Sequence, residues 1–206
     1  MSDLPPLHDV ETAWPVESSR DLHRDDWVMA LRQDRVRQPG HDDEEAFGRL
    51  VLEHPGAVIV LAVDDEDRVL VLWQYRHPAG RVFVELPAGL IDGDTGHAEE
   101  PVEVARRELR EEAGLEAGSW THLTTTWSSP GISEERMHHF LARDVREVGR
   151  GDFEPRHEEA EMTAGWVPAA DLLEAVLAGR VGDGPLVVSL LAAHVRGLLG
   201  DVGAGR

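Results

Sequence analysis

The chain has 206 residues, no cysteine and a formal net charge of −20, set by 40 Asp and Glu against 20 basic residues, all of them arginine. That balance argues against general binding to nucleic acid or to an anionic membrane surface, and the lack of cysteine excludes disulfides and thiolate chemistry. No apolar run reaches the roughly 18 residues needed to cross a bilayer. The first residues lack a basic segment followed by an apolar one, so no signal peptide and a cytoplasmic location are expected.

Residues 1–20 are Pro-rich and polar and are expected to be ordered only in part. WVMALRQDRVR and AFGRLVLEH read as short strands, with hairpin chemistry in the intervening QPGHDDEE. His54-Pro55-Gly56 punctuates the chain. AVIVLAV (57–63) is a short apolar run suited to a buried strand, and RVLVLWQYR (68–76) and RVFVELP (81–87) follow as two more. Residues 99–113 give the clearest helix signal. Pro101 suits its first turn, Glu99, Glu100 and Glu103 suit its positive end, and Gly114 suits its C-terminal cap. Val102, Ala105 and Leu109 form an apolar stripe that would pack on a sheet. SWTHLTTTW and RMHHFLARDV read as strands around Ser128-Ser129-Pro130-Gly131, with His138 and His139 as strand residues. A short strand at 163–167 and helices at 168–179 and 185–199 complete the chain. Strands and helices mix without regular βαβ alternation, which predicts a mixed sheet with helices on both faces.

Within the helix, Glu108, Glu111 and Glu112 stand at i, i+3 and i+4 and share one face. An arbitrary Glu/Arg-rich helix would offer them as a solvated, ion-paired surface, with Arg107 bridging to Glu103 and Glu111. Two things point elsewhere. Glu111 and Glu112 lie in the last turn, where the helix dipole disfavours negative charge. Three crowded carboxylates would also be relieved by a hard divalent cation. The spacing is specific: Gly93, Glu99, Arg107, Glu108, Leu109, Glu111, Glu112, Gly114 and Leu115 fill the nine constrained positions of the Nudix box. The chain therefore resembles the Nudix hydrolases.

That resemblance implies an α/β (α+β) fold, a Nudix α/β/α sandwich with a mixed sheet at residues 54–200. A small N-terminal antiparallel β domain at 1–53 would pair two subunits, and 201–206 would be a tail. It implies cleavage of a nucleoside diphosphate linked to another group, assisted by Mg²⁺ or Mn²⁺. Glu108 and Glu112 would be the principal metal ligands, and Glu111 a ligand, a water-mediated ligand or a base. Glu99 would assist, and Arg107 would orient carboxylates.

Features outside the box resemble the ADP-ribose pyrophosphatases, those of actinobacterial type in particular. Leu86-Pro87-Ala88-Gly89 is similar to their LPAG segment, in which the Ala carbonyl binds metal, here Ala88. Pro130 follows Gly114 by sixteen residues within SPGISEE, as in that group; the resemblance implies that Ser133 in this string would bind substrate. Arg76 and Glu85 would contact diphosphate and ribose, Arg76 as a bidentate clamp, with Arg81 a weaker candidate. HEEAEM (157–162) is similar to a loop whose second Glu is catalytic or metal-binding, here Glu159, with Glu158 and Glu161 as alternative registers. His157 suits Mg²⁺ poorly, since that ion prefers oxygen. Trp27 or Phe47 would stack on adenine or fill the dimer core.

The leading expectation is a homodimeric enzyme that splits ADP-ribose into AMP and ribose 5-phosphate, with no nucleic-acid or membrane partner. The alternative is a hydrolase of another nucleoside diphosphate sugar such as GDP-mannose. A non-catalytic Nudix sensor fits less well, because every box carboxylate is present and the acidic charge opposes DNA binding.

Overall fold

The computed structural model describes residues 7–41, 43–91, 99–151 and 161–200, and divides the chain into two compact units, Met1–Glu53 and His54–Arg206. The first is an antiparallel sheet of β1 (Val16–Arg24), β2 (Ala30–Val36) and β3 (Phe47–Glu53), in that order. β1 begins inside the stretch expected to be only partly ordered. All nine of its residues are exposed, so it carries no apolar alternation by which the sequence could announce it. Charged pairs stitch the sheet together. Arg32 holds Asp34 at 3.1 Å and Glu53 at 2.6 Å, and Arg24 reaches Glu53 at 2.6 Å.

The second unit is built around β4 (Ala57–Ala62), buried at every position. Such a strand must be covered on both faces. Ala57, Ile59 and Leu61 enter one apolar cluster, and Val58, Val60 and Ala62 enter the other. Helices α2 (Ala169–Leu177) and α3 (Gly184–Val195) cover the first face through Leu172, Leu173, Leu186, Leu190 and Ala193. Helix α1 (Pro101–Ala113) covers the second through Val104, Ala105 and Leu109. The result is the α/β/α arrangement expected.

Two sheets form this core. β7 (Ala88–Leu90), β4, β9 (Arg136–Glu147) and β8 (Leu115–Trp127) lie in that order, with β4 parallel to β9 and the other pairs antiparallel. β10 (Thr163–Pro168), β5 (Arg68–Arg76) and β6 (Arg81–Glu85) form an antiparallel sheet. The stretch 81–87, read as one strand, divides here: β6 ends at Glu85 and β7 starts at Ala88 in the other sheet. Proline lacks the N–H a ladder requires. Pro87 instead accepts the Val60 N–H at 2.8 Å and hands the chain across.

α1 starts two residues later than expected, at Pro101, after a cap at Glu100 whose side chain makes no cap hydrogen bond. Gly114 ends it in the left-handed region, φ 68°, and its N–H reaches the Arg110 carbonyl at 2.8 Å. The apolar stripe includes Val104, which the 3,4 spacing from Val102 passed over, while Val102 is only partly buried.

His139 on β9 is fully buried. Its Nδ1 lies 2.8 Å from the Ser189 hydroxyl and its Nε2 2.9 Å from that of Thr126. Ser189 donates to the Pro185 carbonyl at 2.9 Å. Its single hydrogen is thereby spent, so His139 donates from Nδ1 and accepts at Nε2. Burial, with smaller effects from His122 and His138, pushes the imidazole down to about 4. Protonation would turn a satisfied acceptor into an unpaired donor. The folded value is depressed, so the unfolded chain takes the proton first. This contribution to stability is complete above about pH 6.5 and is lost as pH falls towards 4. The melting temperature should therefore decline across that window in thermal scans. His139→Gln, with no titrating ring, should melt lower at pH 7.5 but with a visibly shallower decline; equal slopes would remove His139 as the cause.

Candidate active site

The box helix meets the main chain of β7 at two consecutive residues. Glu112, only 8% exposed although charged, accepts the Ala88 N–H at 2.9 Å through Oε2. Glu108, one turn earlier, lies against Gly89 so closely that a β-carbon there would overlap its carboxyl group. A larger residue at 89 would therefore have to push the Glu108 side chain aside. The structure brings Ala88 and Glu112 together, with Glu108 beside Gly89.

Arg107 neutralises this row. Its Nη1 is 2.8 Å from Glu108 and 3.1 Å from Glu111, and Glu99 adds to the field that raises its pKa against the opposing effect of burial. Arg150 closes the C-terminal end of α1, its Nη2 2.6 Å from the Glu112 carbonyl. A cation there suits the negative end of the helix dipole.

Arg76 and Glu85 form a second cluster. Arg76 Nε donates to both Glu85 oxygens at 3.0 and 3.1 Å, and Nη2 donates to Oε2 at 2.6 Å. Glu85 is buried, whereas the Arg76 side chain is 48% exposed. Among the described residues Nη1 has no hydrogen-bond partner. The Glu85 bond raises the Arg76 pKa further, and Glu112 and Asp183 contribute in the same direction. The ends of β5 and β6 therefore place a fixed, half-exposed cation within the field of the box carboxylate Glu112.

Other sequence candidates fare differently. Ser133 makes local contacts: its N–H donates to the Ser129 carbonyl at 2.9 Å and its Oγ accepts the Glu135 N–H at 3.1 Å. Arg81 pairs with Arg76 across the β5–β6 ladder and is exposed. Gly93, His157, Glu158 and Glu159 lie outside the described residues, and Glu161, the last alternative in that loop, is exposed. Trp27 is exposed, while the face of Phe47 carries the Arg49 guanidinium at 4.2 Å. A groove of about 810 Å³ runs along the outer side of α1, lined by Arg106, Arg110, Glu111, Trp120 and Arg150 among others; it includes neither Arg76 nor Glu112. Asp183 was missed by the sequence reading. Its cap position is readable from Asp183-Gly184-Pro185, but its approach to Arg76 and Glu85 depends on tertiary packing.

The donor set suits a hard divalent cation. Glu108, Glu112 and the main chain of β7 offer oxygen. Among the described residues no three acidic or histidine side chains form a cage by themselves. An ion held by the Glu108–Glu112 pair would complete its shell with main-chain oxygen, water or phosphate, as Mg²⁺ commonly does.

The NUDIX domain family model matches residues 53–187. An ADP-ribose pyrophosphatase of Mycobacterium tuberculosis is 43% identical over 189 residues, covering 91% of this chain and 84% of the relative. A GDP-mannose pyrophosphatase of Yersinia enterocolitica is 30% identical over 151 residues, covering 70% and 75%. A crystal structure of an ADP compounds hydrolase superposes with a TM-score of 0.66 at 19% identity, over 93% of this chain and 98% of that one, a likeness of fold.

The packing at Gly89 gives a direct test. Gly89→Ala should displace the Glu108 carboxylate without unfolding β7. Divalent-ion affinity should fall about ten- to a hundredfold, the size seen when support for a metal ligand is lost. Metal titration of turnover, with circular dichroism as the folding control, checks it; unchanged ion dependence would show that Glu108 does not need its place against Gly89.

Proposed function

The chain belongs to the Nudix family and is a Nudix pyrophosphohydrolase, and from that premise we propose that its substrate is ADP-ribose, cleaved by water to AMP and ribose 5-phosphate. The observation that carries this reading is the pairing of Glu108 and Glu112 with the β7 main chain, beside the half-exposed Arg76. The name of the M. tuberculosis relative, aligned over most of both chains, supports the choice of substrate.

Within this reading Arg76 binds the diphosphate through its solvent-facing edge, held in place by Glu85. Glu85 takes a ribose hydroxyl with the lone pairs Arg76 leaves free, and Ser133 contributes from its turn. Glu108, Glu112 and the Ala88 carbonyl hold the cation, with Glu99 at the far end of the row. A divalent ion held there, Mg²⁺ or Mn²⁺, would offset the diphosphate charge and lower the pKa of an attacking water. Arg107 keeps Glu108 and Glu111 fixed relative to each other. Glu159, with Glu111 as the alternative, takes the proton of the attacking water. One P–O bond forms to the water oxygen, the bridging P–O bond breaks, and the bridging oxygen leaves on the second phosphate.

The N-terminal unit is assigned to homodimer formation. Its sheet has little interior of its own: Ala30 and Ala46 are its buried apolar residues, while Trp14, Leu22, Trp27, Val28 and Leu50 are exposed. A small sheet gains independent stability from an apolar face packed against something else. A second copy of the chain supplies that cover.

With Mg²⁺, a panel of ADP-ribose, GDP-mannose, ADP-glucose and NADH should show turnover mainly of ADP-ribose; preference for GDP-mannose would replace the substrate assignment. Glu112→Gln should reduce kcat by at least about a hundredfold while keeping the fold, because it removes a charged ligand and leaves a similar shape against Ala88. Glu159→Gln should lower kcat by a comparable factor with little change in KM. If Glu161→Gln does so instead, the loop register moves by two. Sedimentation should give a dimer, and a stable monomer would withdraw the role of the first unit.

A further inference from the structure

The groove on the outer side of α1 inverts the charge of the chain locally. Acidic residues outnumber basic ones 40 to 20 in the sequence, yet Arg106, Arg107, Arg110 and Arg150 line the groove against only Glu103, Glu111 and Glu116. The carboxylates do not quench these arginines equally. Arg107 is spent on Glu108 and Glu111, at 2.8 and 3.1 Å. Arg106 meets Glu103 at 3.3 Å and Arg110 meets Glu116 at 3.7 Å, in pairs whose side chains are all at least 38% exposed. Exposed pairs of this kind contribute little. Glu116 is also engaged more closely by Arg146, at 2.7 Å through its other oxygen. Arg150 donates to the Glu112 carbonyl at 2.6 Å, and among the described residues no carboxylate pairs with it.

One wall of the groove is aromatic. The Arg106 guanidinium lies over the Trp120 indole, 5.1 Å from the ring centroid. Trp120 Nε1 donates to the Ala117 carbonyl at 3.2 Å. With its single donor used, Trp120 offers the groove a flat surface and no hydrogen bond. A guanidinium stacked on an indole has a second face for another planar ring, and arginine binds rings and phosphates alike. Arg110 and Arg150 meet at the C-terminal end of α1: a β-carbon on Gly151, the neighbour of Arg150, would lie 4.0 Å from Arg110 Nη2. Since Arg150 covers the Glu112 carbonyl, an anion arriving there meets guanidinium rather than that helix carbonyl. The volume of about 810 Å³ is far more than a phosphate fills and lies within the range of small-molecule sites.

We propose that this groove is a second anion site, separate from the diphosphate clamp, and that it takes a nucleoside monophosphate, with the phosphate on Arg110 and Arg150 and the base on the Arg106–Trp120 stack. The groove shares Arg107 and Glu111 with the carboxylate row, but Ala88, Glu112 and Arg76 are not part of its lining. Binding there needs no cation and does not depend on which substrate the row cleaves. On the reading proposed above, AMP is such a ligand and is made by the chain itself.

The probe is AMP in metal-free buffer, titrated into the isotope-labelled full chain while the indole N–H signals are followed by NMR. The Trp120 signal is identified by its loss in Trp120→Phe. AMP should shift it saturably. Inorganic phosphate and ribose 5-phosphate should bind at least about fivefold more weakly, because neither carries a base to stack. Arg110→Gln should weaken AMP about tenfold, the size of one charge-assisted hydrogen bond. Glu116→Gln removes the carboxylate that competes for Arg110 and should tighten AMP about two- to fivefold, a gain that misfolding cannot produce. If Arg110→Gln does not fold, Glu116→Gln decides alone. Arg76→Ala should leave the Trp120 titration unchanged, which separates the groove from the clamp. The absence of a saturable shift at Trp120, unchanged affinity in the Arg110 or Glu116 variant, or loss of binding with Arg76→Ala would overturn the proposal. Equal affinity for inorganic phosphate would overturn the assignment of the base. A chain that fails to hydrolyse ADP-ribose would count against the functional reading alone, since the titration needs no turnover.

Discussion

The hydrogen bond from the Ala88 N–H to Glu112 is the contact on which the rest of the site depends. Glu112 is a charged group placed where charge is costly, buried and in the last turn of a helix. A main-chain donor that meets the carboxylate, Arg150 at the helix end and the field of Arg76 help to offset that cost. For that bond to form, β7 must lie directly against α1. With Glu108 in its present place that approach leaves no space for a β-carbon at 89, and the chain leaves the β6 sheet at Leu86-Pro87 to make it. The glycine, the proline and the buried glutamate answer to one requirement, which is to bring a backbone segment alongside a carboxylate-bearing helix.

An acidic chain that handles an acidic substrate needs local exceptions to its own field. With a net charge of −20, long-range electrostatics repel a diphosphate. The exception is made by arginine in two different ways. Arg107 is spent within the carboxylate row and holds its geometry. Arg76 is held along one edge by Glu85 and its side chain is half-exposed. A guanidinium suits this because its planar fork can bind a carboxylate along one edge and a phosphate along another, which a lysine ammonium cannot do with the same fixity.

The parts of this arrangement legible in the sequence are those that depend on local spacing. The helix with its Gly114 cap, the carboxylate row and the doubly buried β4 follow from periodicity and turn chemistry within a few residues of each other. Arg76, Glu85 and Ala88 could be singled out because they sit in recognisable short strings. β1 was not legible, because an exposed polar strand held by side-chain ion pairs leaves no alternation to read. The break between β6 and β7 was concealed by continuous strand-like composition, although Pro87 was the available signal. Asp183 could be read as a cap and no more, since what sets it apart is the burial that α3 acquires by packing on β6. His139 read as a strand residue; the Ser189 and Thr126 hydroxyls that satisfy it come from distant segments.

The same box serves relatives named for different substrates, one an ADP-ribose and another a GDP-mannose pyrophosphatase, and both align along most of this chain. The carboxylate helix and β7 therefore cannot be what selects the substrate, because they act on the phosphate linkage those molecules share. On the proposed reading Arg76 acts on that linkage too, and so does not select the base or sugar. Discrimination has to come from groups that reach beyond the diphosphate. Glu85 is buried and acts close to the clamp, so it can distinguish only what lies immediately next to the phosphates. Recognition of the base is left to surfaces outside the box.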